Sequence, residues 1–217
     1  MKGHPGTGKS TIASVVAAAL RCPLLDKDDI RDATLSLSST ASTTPSTTTT
    51  TTTASTTTTT AAASPAAAAA SPAAATASTA ELNQLSYDAV WRVAATQIRL
   101  GLSVVVDSPL SHRRHLDTAL RIAGGSHRVV IIECRPSDEG EWRRRLEVRG
   151  AEDGGVGHRP ATWEDMERLL EVYDGCTEYD VGEVPKLVVD TTAPGGVEGV
   201  LSNVFEFIEA HRRHPQS

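Results

Sequence analysis

The stretch Gly3-His4-Pro5-Gly6-Thr7-Gly8-Lys9-Ser10-Thr11 decides how the rest of the chain is read. It fits the spacing G-x-x-x-x-G-K-[ST], in which the glycines let the backbone curl until several N–H groups point inward at phosphate oxygens. On that reading Gly3, Pro5, Gly6, Thr7, Gly8 and Thr11 form the cradle. Lys9 reaches the β- and γ-phosphates of a nucleoside triphosphate, and Ser10 places its hydroxyl on Mg²⁺. The helix that opens there turns its positive end toward the same anion. The competing reading is a Gly-rich turn ahead of a helix. Ile12, Val15, Val16, Ala19 and Leu20, at i, i+3, i+4, i+7 and i+8, make one apolar helical face right behind the loop.

Only Met1 and Lys2 precede the loop, whereas such a loop normally follows a buried strand of about five or six residues. That first strand is expected to be missing. Downstream, Pro23 stops the helix, and Pro23-Leu24-Leu25 reads as a short buried strand that delivers Asp26-Lys27-Asp28-Asp29-Ile30-Arg31-Asp32 at its carboxyl end. From about Ser36 to Ala80 the chain is Thr, Ser and Ala with scattered Pro and no charge, a composition that buries too little apolar surface to offset its ordering entropy. A disordered insertion over 36–80 is the expectation. Order returns with a helix over 82–100, a strand over 103–107 ending in Asp107, and a helix over 111–123. A strand follows over 129–132, then a basic helix over 141–149 and a Gly-rich mobile loop over 150–160. Thr162-Trp163-Glu164-Asp165 opens a helix over 164–173 with a capping box. A last strand over 186–190 and a helix over 197–211 close the chain. Apolar strands separated by helices mean an α/β fold, a doubly wound parallel sheet between two helical layers, in one domain over 1–217.

The totals narrow the function. A net charge of −6 gives no field for a long polyanion, so a long nucleic acid is not expected as a partner. Cys22, Cys134 and Cys176 lie far apart, which suits a reducing compartment and small buried roles. No apolar run approaches the length of a membrane span and no secretory leader is visible, so the expected location is cytoplasmic, with an organelle leader upstream of Met1 left open. The sequence does not set the oligomeric state.

Phosphoryl transfer needs a phosphate cradle, Mg²⁺, a carboxylate near the acceptor hydroxyl and cationic clamps. Asp28, just past a strand end, is placed to accept the proton of an acceptor hydroxyl, with Arg31 one turn on to bind an anionic group of the acceptor. The alternative is a helix-capping Asp and a solvated Arg. Asp107 holds Mg²⁺ or its water or orients the acceptor, or is an ordinary turn residue before Pro109. Arg143, Arg144, Arg145 and Arg149 are lid cations or a solvated face paired with Glu141 and Glu147; Arg145 and Arg149 share a face. His112 to His115 reads as a solvated helix start, and Trp91, Trp142 and Trp163 as packing residues.

Together, Gly3 to Thr11, Asp26 to Arg31, Val104 to Leu110 and Arg145 to Arg149 resemble the P-loop kinases related to the kinase domain of phage polynucleotide kinase, and more distantly zeta toxins and gluconate kinases. Plant proteins described as P-loop nucleoside triphosphate hydrolases look most similar. The resemblance implies a three-layer fold with strand order 2-3-1-4-5. It further implies ATP and Mg²⁺ as cofactors on Lys9 and Ser10, Asp28 as general base, Arg31 and Asp107 near the acceptor, and Arg145 and Arg149 over the triphosphate. The function expected is an ATP-dependent kinase acting on a hydroxyl of an unidentified small-molecule or nucleotide acceptor. Its rivals are a non-catalytic or truncated nucleotide-binding protein and a simple ATP hydrolase. Without its first strand the sheet is expected to fall into two strand pairs with unpaired central edges.

Overall fold

The structure, a computed structural model, describes residues 1–34, 77–125, 127–152 and 158–212. The elements run α1 (Lys9–Leu20), β1 (Leu24–Asp26), α2 (Lys27–Ala33), α3 (Thr79–Arg99), β2 (Val105–Asp107), α4 (Arg113–Ala123), β3 (Ile131–Arg135), α5 (Glu139–Glu152), α6 (Trp163–Tyr173), β4 (Lys186–Asp190) and α7 (Gly196–His211). Among the described residues there are four strands, all parallel: β1 pairs with β2 and β3 with β4, and each pair is a separate ladder.

As expected, the inner edges of the two pairs form no ladder. Met1, Lys2 and Gly3 run between them. The Lys2 N–H donates to the Ile132 carbonyl at 2.8 Å and the Cys134 N–H donates to the Lys2 carbonyl at 2.9 Å, a parallel bridge onto β3. On the other side the Met1 nitrogen donates to the Val106 carbonyl at 2.6 Å, and the Gly3 N–H to the Pro109 carbonyl at 3.3 Å. The expected split into two strand pairs is met, and three residues bridge the inner edges only at the level of the loop. The order across the molecule, β1-β2-(Met1 to Gly3)-β3-β4, is the 2-3-1-4-5 arrangement with its central member reduced to a bridge.

Strand alternation then sorts side chains into layers. Ile132 and Cys134 face α1 and α7, where Ile12, Val16, Val189, Val200 and Val204 pack with them. Ile131 faces the other way, toward Tyr87, Trp91 and Ala94 of α3 and Leu116 of α4. A third, smaller cluster of Leu146, Trp163 and Met166 joins α5 to α6.

Several boundaries move. The expected insertion over 36–80 lies outside the described residues up to 76, and its last residues belong to α3: Ser78 caps the helix from Thr79, its side chain and that of Glu81 closing a reciprocal capping box. The expected loop over 150–160 loses its first residues to α5, which continues through Glu152. Gly150 allows this, because a Cβ there would stand 2.2 Å from the Ala161 carbonyl oxygen. Residues 153–157 lie outside the described residues. The third strand is Ile131–Arg135, not 129–132, and so carries a charge at its centre.

That charge is Glu133, 2% exposed, facing Lys2, 4% exposed, at 2.9 Å. Arg135 Nε at 2.6 Å and Lys186 Nζ at 3.3 Å complete its surroundings. Three cations on one buried carboxylate keep it ionised: burial acts to raise its pKa, but the hydrogen bonds from Lys2 and Arg135 prevail and the net shift is downward. Glu133→Ala leaves Lys2 buried and uncompensated, so chemical denaturation should show a loss of about 3–5 kcal/mol of stability. The double change Lys2→Leu with Glu133→Leu should lose far less, because no charge is then stranded.

Candidate functional site

The loop from Gly3 to Thr11 lies where Met1 to Gly3 emerge between the strand pairs. Gly3 (φ 136°) cannot be replaced without a clash, since a Cβ would lie 2.5 Å from the Cys134 carbonyl oxygen. Thr7, 1% exposed, donates its hydroxyl to the His4 carbonyl at 2.8 Å, and Gly8, in the left-handed region, caps α1 without any side-chain acceptor. The helix end is thereby left with its positive pole unneutralised. Pro5 offers its carbonyl to Trp142 Nε1 at 2.8 Å, while the His4 ring stacks on Trp142 and on Tyr173. Ser10 and Thr11 are exposed at the start of α1. Trp142 was expected to be a packing residue. It does pack, edge-on against Trp163, but it also fixes the loop from α5.

Lys9 is buried, and its Nζ donates to the His4 carbonyl at 2.7 Å. Among the described residues no carboxylate pairs with it; burial pulls its pKa down, and Asp107 acts in the opposite sense. Asp107 is 2% exposed with Oδ1 fully buried and without a hydrogen bond, and the neighbouring Ser108 hydroxyl is equally unpartnered. A solvent-facing turn Asp would not be buried in this way. Thr191, just past β4, has a buried, unpartnered hydroxyl too, and its Cβ would sit 3.7 Å from a Cβ on Gly8. Buried polar atoms left without partners are rare and need a reason. Here they gather at the carboxyl ends of parallel strands, where ligands of open α/β sheets bind.

Asp26 ends β1 directly beside Asp107 in the ladder. Its side chain accepts the Asp28 N–H at 2.7 Å, so the helix cap is Asp26 and not Asp28 or Asp29. Burial first, and then the charge of Asp107, push its carboxyl up to about 6. Asp28 lies in the first turn of α2. Burial would raise its pKa, but His158, Lys27 and Arg159 overcome this and hold the carboxyl well below the usual range. Arg31, expected either as an anion clamp or as a solvated charge, is 2% exposed, and its Nη1 is buried with no hydrogen-bond partner. The solvated alternative is excluded.

The basic helix divides. Arg143 pairs with Glu147 and Arg144 with Glu141 on the exposed surface, the solvated alternative. Arg145 also meets Glu141, but its Nη1 donates to the Thr191 carbonyl at 3.0 Å, beside the loop. Arg149 Nη2 donates to the Pro160 carbonyl at 3.1 Å. His115 departs from expectation: it is not solvated but buried, stacked on Tyr87 at 3.8 Å, and burial pushes its pKa down to about 4. Asp26, His158 and Arg159 were not foreseen as part of the site. His158 and Arg159 sat in a stretch whose only legible signal was glycine content.

With this geometry in place, comparison with known proteins is direct. Residues 1–173 match the AAA domain family, and the chain belongs to it. No curated protein matches the chain. Among solved structures it is similar to one described as "a putative kinase" from Chloroflexus aurantiacus J-10-fl. The TM-score is 0.63 at 19% identity, over 98% of this chain and 96% of that one. The fold is thus that of the solved structure, and the family match places the nucleotide-type loop from Gly3 to Thr11 in an AAA domain. Among the described residues no helix is long and apolar enough to cross a membrane.

The Asp26 carboxyl gives a test free of any ligand. Its folded pKa lies above its unfolded value near 3.8, so its protonated form stabilises the fold below about pH 4, and that contribution is lost as pH rises through about 6. Asp26→Asn keeps a good helix cap and removes the titration. Its melting temperature should match the parent near pH 4 and exceed it above pH 6.5, measured by thermal denaturation without nucleotide.

Proposed function

We propose that this protein is an ATP-dependent kinase that transfers the γ-phosphoryl group to a hydroxyl of a small or nucleotide-sized acceptor bearing an anionic group. The observation that carries this is the pair of buried cations, Lys9 and Arg31, that have no carboxylate partner among the described residues. An isolated buried charge is expensive, so a site with two of them is built to receive anions. Lys9 lies on the loop and takes the triphosphate. Arg31 lies one turn beyond Asp28 on α2 and takes the acceptor's own anionic group.

Mg²⁺ fits the residues present. Asp107 offers a buried carboxylate oxygen with no partner, and Ser10 a hydroxyl at the start of α1. Among the described residues no group of three or more His, Cys, Asp or Glu is arranged to hold a metal on its own. This suits Mg²⁺, which is usually held by one or two protein groups together with phosphates and water. When bound it neutralises charge on the phosphate oxygens.

The chain's own residues do the rest. The loop N–H groups and the uncapped end of α1 hold the triphosphate, and Arg145, tethered to the Thr191 carbonyl beside Gly8, supplies positive charge on the lid side. Arg149 stands one turn further along the same face. Asp28 orients the acceptor hydroxyl and receives its proton late, which suits a loose transition state and a carboxylate of low basicity. The three free cysteines agree with a reducing, cytoplasmic setting.

Transfer of label from γ-labelled ATP to a panel of phosphorylated sugars, nucleosides and nucleotides tests the proposal. Lys9→Ala and Asp28→Asn should each lower transfer at least about 100-fold. Full transfer by Lys9→Ala would sink the mechanism.

A further inference from the structure

Asp28 is covered from two sides. Lys27, on its own helix and buried, brings Nζ to 3.0 Å from Oδ1. From the segment just ahead of α6, His158 brings Nε2 to 3.0 Å from the same Oδ1, and Arg159 brings Nε to 3.2 Å from Oδ2. The same two residues grip Asp32 one turn further on: His158 Nδ1 lies 3.3 Å from its Oδ1, and Arg159 Nη2 donates to its Oδ2 at 2.8 Å. The His158 side chain is 9% exposed, so this is a packed contact and not a surface pairing.

The consequence follows from what a hydroxyl needs. To be oriented for attack it must donate a hydrogen bond to Asp28, whose Oδ1 already lies against Lys27 and His158 and whose Oδ2 is crowded by the Arg159 guanidinium, although Arg159 Nε makes no hydrogen bond to it. Lys27 cannot leave without unpacking the α2 base, where its ammonium also lies over the Tyr87 ring. His158 and Arg159 come from a different segment, so their withdrawal would not require α2 to unpack. Water brings nothing to compensate that withdrawal. An acceptor that also pairs with the buried Arg31 does.

We infer that His158 and Arg159 are specificity residues that crowd the carboxylate of Asp28, His158 at Oδ1 and Arg159 at Oδ2, excluding water as an acceptor and yielding to an acceptor that brings its own anionic group. This rests on the kinase function proposed above. In the reaction that is suppressed, a water oxygen bonds to the γ-phosphorus as the bond to the bridging oxygen breaks. ADP leaves with that electron pair, and the water proton passes to Asp28.

The test is release of inorganic phosphate from saturating Mg·ATP with no acceptor present, beside nucleotide affinity by calorimetry. His158→Ala with Arg159→Ala should raise hydrolysis roughly tenfold with affinity unchanged, and adding Asp28→Asn should abolish the rise. Asp32→Asn, which loosens the contact while leaving both side chains in place, should give a smaller rise in the same direction. If the double variant folds poorly, Asp32→Asn decides alone. Unchanged or slower hydrolysis at parental nucleotide affinity would overturn this inference and leave the kinase proposal standing. Failure of the parent protein to bind Mg·ATP would overturn both.

Discussion

Everything at the site hangs on two backbone hydrogen bonds, Lys2 N–H to the Ile132 carbonyl and Cys134 N–H to the Lys2 carbonyl. They fix the direction in which the chain leaves the sheet, and so the place where Gly3 begins its turn. With the Met1 contact to Val106 they also hold the β1-β2 pair at the correct spacing from β3-β4. A full central strand would do this with a ladder of bonds and a buried apolar run. Here much of the burden falls on side chains: Lys2 itself is locked to Glu133, and the loop is clamped from outside by Trp142 on the Pro5 carbonyl. The Glu133 cluster is thus part of how the loop is positioned.

At the carboxyl ends of the strands the balance reverses, and the fold tolerates what it avoids elsewhere. Two carboxylates, Asp26 and Asp107, stand side by side across the β1-β2 ladder, and burial, with the charge of Asp107 adding to it, raises Asp26 toward neutrality. Lys9 and Arg31 are buried without carboxylate partners among the described residues, while Asp107, Ser108 and Thr191 each keep a buried polar atom unpartnered. Such a concentration costs stability, and it is offset by the apolar layers of α1 and α7 on one face and α3 and α4 on the other. Sites that bind charged ligands are where departures of this kind are expected.

Much of this was legible in the sequence because it depends on local pattern. The loop spacing located Gly3 to Thr11. Apolar runs bounded by Gly and Pro located β1, β2 and β4, and the Thr162 to Asp165 signature located the start of α6. Asp28, Arg31 and Asp107 could be singled out as candidates because each follows a strand or its first helical turn. What escaped was set by tertiary contact. Glu133 interrupts a strand that pattern alone reads as apolar, and only the presence of Lys2, 131 residues away, makes a charge acceptable there. The same holds for His158 and Arg159, which meet Asp28 and Asp32 across about 130 residues of chain. His115 looked solvated beside Arg113 and Arg114, yet helical periodicity turns it inward onto Tyr87.

The central claim is that a loop held by so few backbone contacts is nevertheless a formed triphosphate site. Isothermal titration of the protein with Mg·ATP measures this most directly. The account predicts one site with a dissociation constant in the micromolar range, lost in Lys9→Ala while the melting temperature without nucleotide is kept. No binding by the folded parent protein, or equal binding by Lys9→Ala, would contradict it.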